Sequence, residues 1–165
     1  MNLRLRALTG YEATAYNEFF SAGARAHPAT LRIAPGDMAA RPFATAETED
    51  AVTLVALGPE GQWLGVVAVE RELGRQKRRH VAWLVRMYVT QEAAGQGIGR
   101  ELLRAGIQRA RRMPGIAKLN LTVAASNERA VKLYESEGFR VFSRETDAFR
   151  HGTQSVDELT LSLAL

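Results

Sequence analysis

The segment from Ala94 to Arg100 has the residue types and spacing of an anion-binding loop. Gly95, Gly97 and Gly99 occupy every second position, and a helix-like pattern follows directly. Glycine tolerates positive φ angles and lets the backbone come close to a ligand. The first N–H groups of a helix have no intrahelical partner, and the positive end of the helix dipole adds to their attraction for anions. The segment is therefore predicted to hold a phosphate group.

The spacing of these glycines excludes two other phosphate loops. A dinucleotide fingerprint requires Gly-x-Gly-x-x-Gly, whereas Gly95, Gly97 and Gly99 are spaced two apart. No Gly-Lys-Ser or Gly-Lys-Thr follows, so a Walker loop is absent from the sequence as well. The alternative is a glycine-rich turn that serves only close packing between a strand and a helix.

A second segment with chemical potential begins at Asn127. Asn is a good residue for the start of a helix, and Tyr134 lies two helical turns further along the same face. An unperturbed tyrosine has a pKa of about 10, so its phenol keeps a proton at neutral pH and can act as a general acid. The alternatives are a capping Asn and a Tyr at the edge of the core.

Together the two segments resemble the GNAT-type, acetyl-CoA-dependent N-acetyltransferases. The first resembles the family motif Arg/Gln-x-x-Gly-x-Gly/Ala, with Gly97 and Gly99 at its glycines and Ala94 in place of Arg or Gln. Residues 127–139 match Asn-x-x-Ala-x-x-Leu-Tyr-x-x-x-Gly-Phe at every fixed position. Two motifs in this order, separated by a helix and a strand, are far more specific than either one alone.

The resemblance implies acetyl-CoA as cosubstrate and assigns roles to residues of both segments. Tyr134 would protonate the departing thiolate, Asn127 would bind the pantetheine amides, and Arg100 could compensate for the missing side chain at Ala94. The strand before the loop is expected to splay from its neighbour and to offer main-chain groups near Val89. The expected cofactor-binding residues are Met87, Tyr88, Val89, Ala94, Gly95, Gln96, Gly97, Ile98, Gly99, Arg100, Asn127, Ala130 and Tyr134.

The sequence has no cysteine, which favours direct attack of a primary amine on the thioester in a ternary complex. The reaction needs a base, for which Glu70 and Glu72 at the end of a strand are candidates, although each could be simply solvated. The sequence does not decide whether the acceptor is a small-molecule amine or a protein N-terminus. The resemblance to the family implies that residues 24–45 and 144–155 line the acceptor side of the site. The alternative function is a non-catalytic acyl-CoA-binding or sensor domain.

Other partners are not expected. The net charge of +4 suits an anionic ligand, but the basic run from Arg71 to Arg79 lacks interleaved aromatic residues, so we do not expect nucleic acid to bind it. His27, His80 and His151 lack metal-ligand spacing, and no metal is expected. Without a long apolar run or a signal-like start, the sequence predicts a soluble cytoplasmic protein.

The element order predicts an α/β fold in one domain, residues 1–165. The expected sheet is mixed, with six to seven strands, an antiparallel meander followed by a parallel β-α-β crossover, and helices on both faces. Exposed edge strands can pair between two copies of a protein, so a homodimer is possible, but the sequence does not decide this. The expected strands are 3–8, 52–57, 63–69, 80–89, 116–124, 139–143 and 159–165; the expected helices are 11–26, a short one at 37–41, one through Leu102 to Ala110, and one from Asn127.

Overall fold

The structure, a computed structural model, describes residues 3–165; Met1 and Asn2 of the predicted domain lie outside them. The strands are β1 (Arg4–Ala7), β2 (Ala51–Leu57), β3 (Trp63–Arg71), β4 (Val81–Val89), β5 (Lys118–Ala124), β6 (Arg140–His151) and β7 (Gln154–Ala164). The helices are α1 (Ala13–Ala26), α2 (Pro35–Ala40), α3 (Ile98–Arg112) and α4 (Glu128–Ser136). None of these helices is long and apolar enough to cross a membrane.

The seven strands form one mixed sheet in the order β1-β2-β3-β4-β5-β7-β6. Only the β4–β5 pair is parallel, and α3 makes the crossover between them. The predicted meander, parallel crossover and mixed sheet are confirmed.

Helices cover both faces of this sheet, as predicted. Side chains of β3 alternate between the faces, as strand geometry requires. Val66 packs with Tyr16 and Phe20 of α1, whereas Val67 packs with Leu102 of α3 on the opposite face. We call these the α1 face and the α3 face; α2 contributes to the first and α4 to the second.

Two predicted elements differ from the structure. Helix α1 begins at Ala13, two residues later than predicted, and Tyr11 is fully exposed in the short turn before it. The buried face of α1 is formed by Tyr16, Phe20, Gly23 and Ala24. Strands β6 and β7 are 12 and 11 residues long, more than twice the predicted length of β6, because their polar outer halves pair with each other around Gly152.

The sheet opens between β4 and β5. These strands pair only where Val81–Trp83 meet Lys118–Asn120, and beyond that point β5 pairs with β7 alone. From Leu84 to Val89, β4 keeps β3 on one side and has no strand on the other. A bulge at Arg86, which has a φ of 51°, bends β4 at the same place. The predicted splay of the strand before the glycine loop is therefore confirmed.

Gly65 of β3 allows the close approach on which the end of β4 depends. A Cβ atom at this position would lie 2.8 Å from the carbonyl oxygen of Tyr88 and 2.9 Å from Cδ1 of Leu102. We expect Gly65→Ala to lower the free energy of unfolding by about 1–3 kcal/mol, as overpacking does, in urea denaturation. Gly36→Ala is the control, because a Cβ there meets nothing within 4 Å. Equal stability of the two variants would contradict the close approach.

Candidate active site

The gap between β4 and β5 leads into a cavity of about 690 Å³. The cavity reaches both faces of the sheet, since it touches Tyr88 and Leu31 of the α1-face core and Leu133 of the α3-face core. Nearly all of the predicted cofactor-binding residues line it: Met87, Tyr88, Val89, Ala94, Gly95, Gly97, Ile98, Gly99, Arg100, Asn127, Ala130 and Tyr134. Gln96 is the exception, because its side-chain amide donates to the carbonyl of Glu92 (3.1 Å) at the surface.

The glycine loop has the geometry of an anion cradle. Gly95 and Gly97 have φ angles of 80° and 81°, a conformation that other residues rarely adopt. Gly97 is the N-cap of α3, whose first helical bond runs from the N–H of Glu101 to the carbonyl of Gly97 (3.1 Å). The N–H groups before Glu101 thus have no partner within the helix. A Cβ at Gly97 would meet nothing within 4 Å, so the loop leaves room for a ligand.

The cations around this loop differ from those predicted. The guanidinium of Arg100 is held by Glu137 and by Oγ of Ser136 (3.0 Å), so its charge is largely neutralised within the protein. Arg129 and Lys132 also line the cavity, and neither forms a salt bridge within residues 3–165. Nη2 of Arg129 lies 3.8 Å from the position that a Cβ on Gly95 would take.

Arg129 and Lys132 were not among the predicted site residues, because they occupy variable positions of the second motif. Their spacing of three residues on a helix was the available signal, since it puts both side chains on one face.

Asn127 and Tyr134 are placed by helix α4. Oδ1 of Asn127 accepts a hydrogen bond from the N–H of Ala130 (3.2 Å), which confirms the predicted cap. Tyr134 is 7% exposed, and its hydroxyl lies 3.7 Å from Sδ of Met87, a weak acceptor. Burial raises the pKa of Tyr134 to about 12, so the phenol keeps its proton at neutral pH. The group can therefore donate a proton inside the cavity.

The two candidate bases point toward arginines. Glu70 is bound by Arg86, whose Nε also donates to the hydroxyl of Tyr16 (2.9 Å). Glu72 is bound by Arg78 (2.8 Å), and this hydrogen bond is the main cause that lowers the pKa of Glu72 to about 2. Neither carboxylate lines the cavity, contrary to what their position at the end of β3 suggested.

Of the two segments expected on the acceptor side, only one reaches the cavity. Residues 24–45 reach the cavity through His27, Thr30 and Leu31, whereas no residue of 144–155 lines it. The second segment is instead the tip of the β6–β7 hairpin, where Asp147 binds Arg150 and Ser155.

Comparison with known proteins agrees with this architecture. The model of the Acetyltransferase (GNAT) family matches residues 16–139, which is most of the chain and includes both motifs. The chain belongs to the GNAT acetyltransferase family.

Individual relatives are more distant. Over 51 residues the chain is 45% identical to the mycothiol acetyltransferase of Propionibacterium freudenreichii subsp. shermanii, a match that covers 31% of this chain and 16% of that protein. The chain thus spans about one sixth of the length of this curated relative.

Two solved structures share the fold over nearly the full length of both chains. A GCN5-related N-acetyltransferase from Kribbella flavida is 28% identical with a TM-score of 0.78, and the match covers 99% of this chain and 98% of that one. The structure of yncA from Salmonella typhimurium, which contains its cofactor acetyl-CoA, is 21% identical with a TM-score of 0.80, and the match covers 100% of this chain and 95% of that one.

Gly97 offers a test of the cradle, with Gly115 as a matched control. Both have a positive φ, of 81° and 74°, and open space where a Cβ would lie, but Gly115 is outside the cavity. We expect Gly97→Ala and Gly115→Ala each to cost at least about 0.4–1 kcal/mol of stability, because alanine is strained at this φ. Only Gly97→Ala should weaken acetyl-CoA binding measured by calorimetry. Equal affinities in the two variants would argue against the loop as the phosphate site.

Proposed function

We propose that this protein transfers an acetyl group from acetyl-CoA directly to a primary amine, with both substrates bound at once. The observation that carries the proposal is one cavity, between two parted strands, that contains both the glycine cradle and the protonated phenol of Tyr134. Membership of an acetyltransferase family supports the acyl donor. The structural relative with bound acetyl-CoA and the relative described as an N-acetyltransferase support the donor and the amine acceptor.

The residues that line the cavity fit a long polyphosphorylated donor. N–H groups at the start of α3 would bind the phosphates, and Arg129 and Lys132 would supply the positive charge that Ala94 lacks. The free edge of β4 near Val89 would pair with the pantetheine amides in the manner of an added strand. Asn127, whose Oδ1 is engaged by the cap, retains its amide N–H groups for the same arm.

The protein's own groups then account for the transfer. Acetyl-CoA supplies an acyl group that is already activated as a thioester. A main-chain N–H near Val89 would polarise the carbonyl, and Tyr134 would donate its proton to the leaving sulfur. Since the chain contains no cysteine, a cysteine-bound acyl intermediate does not form, which supports direct attack of the amine on the thioester. The acceptor is a small-molecule amine or a protein N-terminus, and the sequence-based expectation of a cytoplasmic enzyme fits a freely diffusing donor.

An assay of thiol release tests this function. The protein is incubated with acetyl-CoA and a panel of free amino acids, polyamines and a peptide with a free N-terminus, with the N-acetylated peptide as control. Because the chain has no cysteine, the protein itself contributes no thiol to the signal. Release with an unblocked amine supports the proposal, whereas tight acetyl-CoA binding without turnover on any amine favours a non-catalytic acyl-CoA sensor.

Tyr134→Phe tests the proton donor. We expect kcat to fall about 10²-fold or more, the usual contribution of a general acid, with little change in the KM for acetyl-CoA. Since the pKa of Tyr134 is raised to about 12, its deprotonation should not reduce the rate of the wild-type protein at any pH well below this value. Tyr11→Phe is the control, because Tyr11 is fully exposed. Unchanged turnover in Tyr134→Phe would leave Tyr134 with a packing role alone.

A further inference from the structure

The cavity lacks a carboxylate, although the proposed reaction needs a proton acceptor. An amine that is protonated at neutral pH has no lone pair for attack, so a proton has to leave before the new bond forms. None of the aspartates or glutamates of residues 3–165 lines the cavity. Glu70 and Glu72, the two carboxylates that the sequence offered as the base, are each paired with an arginine. The proton acceptor must therefore be sought among other groups.

His27 is the lining residue with the chemistry of a base at neutral pH. Histidine is the side chain that ordinarily gains and loses its proton between about pH 5 and 8. His27 is half-buried, its ring centroid lies 6.0 Å from that of Tyr88, and within residues 3–165 its ring nitrogens make no hydrogen bond. The imidazole is thus available to a ligand in the cavity.

His27 lies on the acceptor side of the cavity. The glycine loop, Arg129 and Tyr134 belong to the elements of the α3 face, where the phosphates of the donor would bind. His27 follows α1, and Leu31 of the same segment packs in the core of the α1 face. A donor anchored on the α3 face would reach into the gap with its acyl end, and an acceptor that approached from the α1 face would then pass His27.

The backbone around His27 is firmly held. Its N–H donates to the carbonyl of Gly23 (3.0 Å), and its own carbonyl accepts from the N–H of Leu31 (3.1 Å). Further along the segment, Arg32 is bound by Glu158 of β7, a carboxylate that is 5% exposed. The segment is therefore tied at one end to α1 and at the other to the far side of the gap.

We propose that His27 takes the proton from the acceptor amine, an inference that rests on the proposed function. In this step the amine nitrogen forms a bond to the acyl carbon and the carbon–sulfur bond breaks. The protonated amine first gives one proton to the imidazole of His27, which releases it to solvent. The sulfur takes the proton of Tyr134, and the second proton, which the nitrogen loses on becoming an amide, restores the phenol. Charge and atoms balance, with an amide, a free thiol and one released proton as products.

The charged side chains that line the cavity together with His27 are cations. The cavity contains the cations Arg100, Arg129 and Lys132 and the neutral phenols Tyr88 and Tyr134. On its own segment Arg25 and Arg32 are the nearest cations in sequence, and Arg32 is engaged by Glu158 and by Glu145 (3.6 Å).

His27→Gln tests the proposal, with His151→Gln as control because His151 is exposed and outside the cavity. We expect kcat/KM for the amine to fall roughly 10²–10⁴-fold at neutral pH in His27→Gln, with acetyl-CoA affinity unchanged. The difference in kcat/KM between the wild-type protein and the variant should become smaller as the pH rises, by up to about tenfold per pH unit. The reason is that the variant depends on amine that is already deprotonated in solution. A loss that is equal at every pH, or no loss, would overturn the proposal.

A second measurement uses the wild-type protein and does not depend on the activity of the variant. The chain has three histidines, so the imidazole C–H signals of His27 can be assigned by their absence from the NMR spectrum of His27→Gln. With coenzyme A bound, addition of the most active amine of the panel should shift the signals of His27 and leave those of His80 and His151 in place. Signals of His27 that do not move would overturn the proposal.

The experiments distinguish failure of the proposed acetyltransferase function from failure of the proposed role of His27. A wild-type protein that releases no thiol with any amine would remove the proposed function and the role of His27 together. A wild-type protein that is active, with a His27→Gln variant equally active, would remove the role of His27 alone.

Discussion

The loss of a hydrogen-bonding partner along β4 is the constraint on which the rest of the site depends. A buried strand normally satisfies its N–H and C=O groups on both sides, yet β4 has a partner on one side only after Trp83. The strand can remain there because β3 stays closely paired with it, which Gly65 permits, and because the open side faces a cavity. A ligand with amide groups would complete the ladder, which is why the pantetheine arm of the proposed donor suits this edge of the sheet.

The cations without a carboxylate partner at the cavity belong to the α3 face of the sheet. Arg78, Arg86 and Arg100 are each neutralised by a glutamate, so most of the arginines near the gap serve the protein's own structure. Arg129 and Lys132 on α4 have no such partner within residues 3–165 and lie at the cavity. An anionic group is thus drawn to the α3 face, where the N-terminus of α3 reinforces the attraction. The net charge of +4 is a poor guide to this arrangement, because what matters is which cations are left unpaired.

The features that could be predicted from the sequence are local ones. The helix that follows the glycine loop directly, Asn127 as a capping residue and the meander depend on residues close together in the chain, and all three are confirmed. The features of the site that differ from the prediction depend on ion pairs between different elements of the fold. Glu70 meets Arg86 across two strands, and Arg100 meets Glu137 on another helix, so no spacing rule reveals that these side chains are engaged. The polar outer half of β6 is an edge strand exposed along its length, and it therefore lacks the apolar alternation by which strands are recognised.

The two halves of the cavity also differ in how well they tolerate amino-acid substitutions. The half of the cavity proposed for the donor is built from main-chain groups and glycines, which constrain the backbone more than the side chains. The half proposed for the acceptor is lined by side chains from residues 27–34, a segment without regular structure whose far end is held by the ion pair of Arg32 with Glu158. A buried carboxylate is costly without its partner, so this pair resists separation and holds the segment across the gap. The position of His27, and with it the shape offered to an acceptor, therefore depends on a contact between a loop and a distant strand, which a few substitutions could remodel without disturbing the donor site.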